Sequence, residues 1–454
     1  MRRRARTPTR APLPGGFGTI WSTVAVDLVG FGIILPVLPL YAERFGASPA
    51  TVGALFASFS VAQLLLAPVW GAVSDRVGRK PVLLVSLAGT AAGSLLTGVA
   101  GSLPVLFFGR VLDGASGASV SVAQAAVADL SEPDQRARLF GLLGAAFGLG
   151  FVAGPALGAL AALGGPRVPF LVAAGVAGAN ALVALRRLPE TMSLSRAGPH
   201  PRPPCRERAP APSGAVEEHN DRATPAAGPP ARSPSGRPSV ALADGLGAEG
   251  LGGLDPGAVG DPEPLAHHLA RSEGGDRRRG VGRLVAVAFG SLMAFSAFEA
   301  TFALFGERRL GFRLASTGAV FTVVGLALAV VEGGLVHPVV HRLGESRTLR
   351  LGLLANALGL GVLAAVHSWW VLVPALAALV VGQGLATPSL TAAVAAVAGD
   401  DRRGGVLGLQ QSAGGLARVL GPLAGGLAFE HLGLPSPYLA GAGVMVACAA
   451  LVSG

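Results

Sequence analysis

Long apolar runs alternate with short polar breaks along most of the chain. Twelve runs can be delimited, at residues 18–41, 51–73, 82–100, 104–128, 137–163, 167–186, 282–305, 314–338, 349–367, 370–398, 405–429 and 436–453. An apolar helix of about 20 residues spans a bilayer, so each run predicts a membrane-spanning helix. One polar break is far longer than the others. Residues 190–280 hold 14 of the 34 prolines and no Phe, Trp or Tyr. Such a segment cannot bury enough apolar surface to offset the entropy of ordering. The expected organisation is a cytoplasmic N-terminal tail (1–17), a six-helix bundle (18–189), a disordered cytoplasmic linker (190–280) and a second six-helix bundle (281–454). The fold class is an all-α membrane protein.

The two halves read as a repeat. Shifted by 267 residues, Gly117 meets Gly384, Arg136 meets Arg403, and Gly154-Pro155 meets Gly421-Pro422. Near the second run the shift is 265, and Gly53 meets Gly318. Glycine is abundant, so the constant offset carries more weight than any single match. Repeats of this kind are typical of secondary transporters, whose substrate site lies between them near the midplane.

Composition agrees with a membrane protein. The 454 residues are 51% hydrophobic and 14% charged, against about 25% charged in soluble domains. The net charge of +10 does not indicate nucleic acid, because the arginines do not gather on one module with interleaved aromatics. They sit in short loops and in the 190–280 segment. With the N-terminus inside, the short cytoplasmic breaks hold 15 Arg and Lys residues and the outer breaks hold 5. The positive-inside rule therefore puts both termini in the cytoplasm. The basic start, Met1-Arg-Arg-Arg-Ala-Arg6, is followed by a long run containing Asp27, and reads as a retained first helix. Two cysteines, Cys205 and Cys448, exclude a disulfide framework.

One break is a tight charged knot, Gly71-Ala-Val-Ser-Asp-Arg-Val-Gly-Arg-Lys-Pro81. It resembles the signature loop between helices 2 and 3 of the major facilitator superfamily. Asp27-Leu-Val-Gly-Phe-Gly-Ile-Ile-Leu-Pro-Val-Leu-Pro39 is similar to helix 1 of its drug:proton antiporter branch, and Arg110-Val-Leu-Asp-Gly-Ala-Ser-Gly117 to the helix 4 motif of that branch. Gly150-Phe-Val-Ala-Gly-Pro-Ala-Leu-Gly158 resembles its antiporter helix 5 motif, with Gly150, Gly154, Pro155 and Gly158 in place. Leu188-Pro-Glu-Thr191 resembles the exit from helix 6. Within that branch the chain resembles the tetracycline:proton antiporters and their uncharacterised bacterial and eukaryotic cousins. The resemblance implies a latch at the knot. Gly71, Asp75, Arg76, Gly78, Arg79 and Lys80 form it; Asp75 faces the start of helix 11 near Gly404 and Gly405, and a loop arginine pairs with Asp129. A purely topological loop is the simpler reading, but it leaves Asp75 unexplained. In the second half His341 falls where Asp75 would, so a latch there is expected to be weaker or absent.

Charges at membrane depth are costly and mark function. Asp27 lies about ten residues into helix 1. Arg110 and Asp113 are three residues apart on helix 4 and can pair. The expectation is that Asp27, Arg110 and Asp113 couple transport to protons. Self-satisfying ion pairs are the alternative. Glu299, Gln124 and Gln411 are cavity candidates. Glu332 has no motif support, and Arg418 is expected to partner an acid. The glycines of helix 5 allow it to slide against the facing half; close packing alone is the alternative.

The expected function is proton-driven export of small, partly apolar molecules by a monomer in the plasma (inner) membrane. Its partners are the lipid bilayer, the substrate and protons, with no cofactor, metal or nucleic acid. The alternatives are a facilitator or importer on the same fold and, ranked last, a non-transporting receptor. No paired nucleophile and base, metal-spaced His/Cys set or phosphate-binding loop points to an enzyme.

Overall fold

The computed structural model describes residues 13–131, 133–191, 274–398 and 403–453. The tail expected at 1–17 and the linker expected at 190–280 lie mostly outside these residues. Among the described residues the chain is helical with no strand. The first half comprises α1 (Phe17–Ile34), α2 (Leu38–Glu43), α3 (Pro49–Val77), α4 (Arg79–Gly98), α5 (Leu103–Ser116), α6 (Ser119–Leu130), α7 (Pro133–Ala162) and α8 (Val168–Arg187). The second comprises α9 (Gly274–Leu310), α10 (Leu314–Val330), a π-turn (Val331–Leu335), α11 (Val336–Leu343), α12 (Glu345–Ala364), α13 (Trp369–Ala398), α14 (Arg403–His431) and α15 (Ser436–Ser453).

Every apolar run becomes helix, but three are interrupted. The run at 18–41 breaks at Leu35-Pro36-Val37, because a proline there has no amide to donate to the helical ladder. The run at 104–128 breaks at Gly117-Ala118. The run at 314–338 contains the π-turn holding Glu332, Gly333 and Gly334, and then continues to Leu343. α9 starts at Gly274, eight residues before the expected 282. Among the described residues, ten helical segments are long and apolar enough to cross a membrane. α14 is also long, but carries Arg418, Gln410 and Gln411. α15 is a shorter apolar helix.

The repeat is visible in the packing. α1 lies along α7, and α9 lies along α14 in the corresponding manner. A Cβ on Gly154 would sit 2.5 Å from Gly32 Cα, and one on Gly158 would sit 2.7 Å from Ile33 O. In the second half, a Cβ on Gly421 would sit 2.5 Å from Met293 O, and one on Gly425 would sit 2.9 Å from Ala297 Cβ. These backbones approach so closely that only glycine fits.

Buried apolar side chains form two clusters. The larger joins both halves, with Ile33, Tyr41, Leu55 and Phe170 beside Phe302, Phe305, Phe321 and Phe429. The smaller belongs to the first half alone, with Phe17, Ile20, Leu83, Leu87, Val127, Leu139 and Leu188. It lies at the end carrying the 78–81 turn. Contacts between halves gather at the opposite end, where Gly426 meets Pro49, Gly53 meets Pro422 and Gly318 meets Ala159. Toward the charged turn, Gly71 and Gly405 face open space. The halves therefore diverge toward that turn.

Candidate functional site

The break between α5 and α6 frees backbone groups at membrane depth, where each must find a partner. α3 and α4 supply them. Trp70 Nε1 donates to Ala115 O at 2.7 Å and Gln63 Nε2 donates to Gly117 O at 3.0 Å. Ser86 Oγ donates to Ser116 O and accepts from Ala118 N. The break is thus held open by side chains of two neighbouring helices.

Three expected site residues meet around it. Ser119, buried at the start of α6, donates its hydroxyl to Asp27 Oδ2. Asp27 is half-buried on α1, and its Oδ1 is enclosed with no hydrogen-bond partner among the described residues. Arg110 Nη1 donates to Asp113 Oδ2 at 2.8 Å, both side chains being almost wholly buried. The guanidinium lies 4.4 Å over the Phe59 ring, and its Nε has no partner. Thr90 of α4 also faces Asp113, whose charge acts on Asp27. The site is therefore one carboxylate half-satisfied by a hydroxyl, next to a closed ion pair. Sequence reasoning missed Ser119. The signal was a glycine followed by Ala-Ser inside an apolar run, which marks a helix break.

The helix 5 motif serves this site from behind. Gly150, Gly154 and Gly158 face α1 of their own half, with Gly150 against Leu28. The facing half touches α7 at Phe151 and Ala159, through Gly325 and Gly318 of α10, while the motif glycines pack on α1. Pro155 lies inside α7 against Gly32.

At the charged turn, Arg79 is the hub. Its Nη1 lies 2.6 Å from Asp75 Oδ1, and its Nε donates to Asp129 Oδ2 at 3.0 Å. Among the described side chains, Asp75 meets no residue of α14. It pairs with Arg79 on the following turn and is 64% exposed, because the halves diverge at this end. Arg76 and Lys80 flank the hub. Glu190, in the sequence only part of the helix 6 exit Leu188-Pro-Glu-Thr191, caps α4: its carboxylate accepts from Arg79 N at 2.9 Å and Lys80 N at 3.2 Å. A carboxylate is stabilised at a helix N-terminus.

Gly78 makes this capping possible. Its φ is +117°, and a Cβ would sit 2.6 Å from Glu190 Oε2. Gly78→Ala is expected to cost about 1–3 kcal/mol, read as a lower melting temperature in detergent. Gly71→Ala, facing open space, is the control and should melt like wild type. Equal melting of both variants would show that the turn tolerates a side chain.

The remaining candidates scatter. Gln124 is half-buried on α6, and Gln411 is exposed on α14. Glu299 on α9 is half-buried and has Arg418 of α14 as its countercharge. Arg418 is exposed on α14 and faces Glu299 of α9. Glu332 is exposed in the π-turn. Asn180 bridges α8 to Thr23 O at 2.8 Å, which is interhelical packing. Among the described residues no group of three or more metal-ligating side chains occurs.

A family model described as Major Facilitator Superfamily matches residues 20–344 and 335–453. The class G tetracycline resistance protein of Vibrio anguillarum is 32% identical over 405 residues, covering 88% of this chain and 86% of that protein. Multidrug resistance protein 2 of Bacillus subtilis (strain 168) is 26% identical over 437 residues, covering 95% and 92%. Among solved structures, the human organic anion transporter MFSD10 (TETRAN) superposes with a TM-score of 0.62 at 25% identity, covering 96% of this chain and 98% of that one. The nucleoside transporter NupG superposes with a TM-score of 0.66 at 11% identity, covering 97% and 98%, a likeness of fold alone.

Proposed function

This chain belongs to the major facilitator superfamily, and on that premise we propose that it exports small, partly apolar drugs, tetracycline-like molecules among them, in exchange for protons. It is a multi-pass membrane transporter rather than an enzyme. The observation that carries the coupling is Asp27. This carboxylate has one oxygen on Ser119 and one without a partner, beside the buried Arg110–Asp113 pair. An uncompensated carboxylate in a low-dielectric cleft is costly. A proton or a cationic group of a substrate relieves the same cost, so the two compete for one place.

In this reading Asp27 exchanges the proton, and Arg110 and Asp113 switch partners as the halves rock. The charged turn is cytoplasmic, as its arginines require, and both termini lie on that side of the plasma (inner) membrane. The structure is then the inward-open state, and the Asp75 latch on the start of α14 closes only in the outward-open state. Gln124, Glu299 and Gln411 line the path. Protons supply the energy without a cofactor, and one chain suffices. Similarity to tetracycline and multidrug resistance proteins supports export over import. Similarity to a transporter of organic anions makes anionic drugs part of the panel to test.

The test is accumulation in inverted vesicles over a panel of tetracyclines, lipophilic cations and organic anions. Accumulation is expected only with a proton gradient and only for some members. Gradient-independent equilibration of every member would make the protein a facilitator.

A further inference from the structure

Three charged residues tie the halves together at the end opposite the charged turn. Arg308, at the end of α9, places Nη2 3.0 Å from Glu43 Oε1 on α2, across the two halves. Its guanidinium lies 5.2 Å from the Phe429 ring centre on α14. Glu430, next along α14, accepts from Ala50 N at 2.9 Å, in the first turn of α3. Ser48, the N-cap of α3, also faces this carboxylate. The contact is an acid from the end of α14 on the start of α3. The latch expected at the charged turn is its mirror image: an acid from the end of α3, Asp75, on the start of α14. In this structure Asp75 is 64% exposed and paired with Arg79, so among the described residues only the Glu430 contact is made.

We propose that Glu430 is a positioning residue of the transport cycle. With the Glu43–Arg308 pair it latches the outer end shut, and it must release the start of α3 before Asp75 can engage the start of α14. The inference rests on the alternating-access reading above. Its chemistry is independent of the substrate. A carboxylate on a helix start is favourable only while charged and in contact, so it biases a two-state equilibrium without touching cargo. The pair and the carboxylate sit on α2, α9 and α14, so parting the halves at this end breaks both together. Glu307 beside Arg308 faces Glu43 as well, and supplies a second acid when Arg308 is replaced.

The experiment measures the outer opening directly. Spin labels are placed at Leu163 and Leu432, exposed residues at that end on opposite halves, after both native cysteines are replaced by serine. Glu430→Gln and Arg308→Ala are each expected to increase the long-distance, outward-open population about twofold or more. The charge swap Glu43→Arg with Arg308→Glu is expected to return it toward wild type, while either single change does not. Unchanged distance distributions in Glu430→Gln and Arg308→Ala would overturn the latch. A swap that behaves like its single variants would remove the ion pair from it. Proton-driven drug accumulation is measured on the same unlabelled variants. If wild type accumulates no drug yet the distances respond, the substrate reading fails and the latch stands. If wild type accumulates drug and the distances do not respond, the latch alone fails.

Discussion

Asp27→Asn is expected to abolish uphill export while leaving a folded, inserted protein. Asparagine keeps the size of the side chain and an oxygen to accept from Ser119. It removes the carboxylate to which the proposed mechanism assigns proton exchange. The surrounding helix contacts do not depend on its charge, since Gly32, Gly150 and Gly154 seat α1 on α7 through backbone. Downhill exchange and drug binding are expected to survive. Two readouts check this. Drug-induced proton release from detergent-solubilised protein should disappear in the variant, and drug accumulation in inverted vesicles should lose its dependence on the proton gradient. A variant that still releases protons and pumps uphill would move the proton site to Asp113 or Glu299. Ser119→Ala is the companion. It leaves the carboxylate in place but strips its one hydroxyl donor, so it should weaken coupling rather than erase it.

Asp113→Asn is expected to be the more damaging change to the fold. It leaves the Arg110 guanidinium charged, buried and facing a neutral amide, with Nε already lacking a partner. Breaking one side of a buried pair costs about 3–5 kcal/mol. The effect should appear as a large fall in melting temperature as well as lost transport. The double variant Arg110→Met, Asp113→Leu separates the two losses. An apolar pair of similar volume is often as stable as the ion pair it replaces, so melting should largely recover. Transport should not, because partner switching needs the charges. A double variant that exports at the wild-type rate would make Arg110–Asp113 a packing device only.

Much of this protein is determined by sequence alone. Twelve apolar runs of membrane length dictate helices, since a chain in hydrocarbon must satisfy its backbone internally. The arginine bias gives an orientation, and the offset of 265–267 residues marks the repeat that reappears as α1 on α7 and α9 on α14. Asp27, Arg110 and Asp113 stand out because charge is rare in such runs. What only the tertiary structure decided are relations between distant residues. Ser119 looks like any serine until the break at Gly117 brings its hydroxyl to a carboxylate 92 residues earlier. Glu190 looks like an exit residue until it turns back to the amides of Arg79 and Lys80. Glu430 and Arg308 look like loop charges until the halves meet at one end and part at the other. Periodicity and composition act along one helix, so the sequence reveals them directly. The partner of a polar group is set by which helices cross and in which state of the cycle, and that information exists only once the chain is packed.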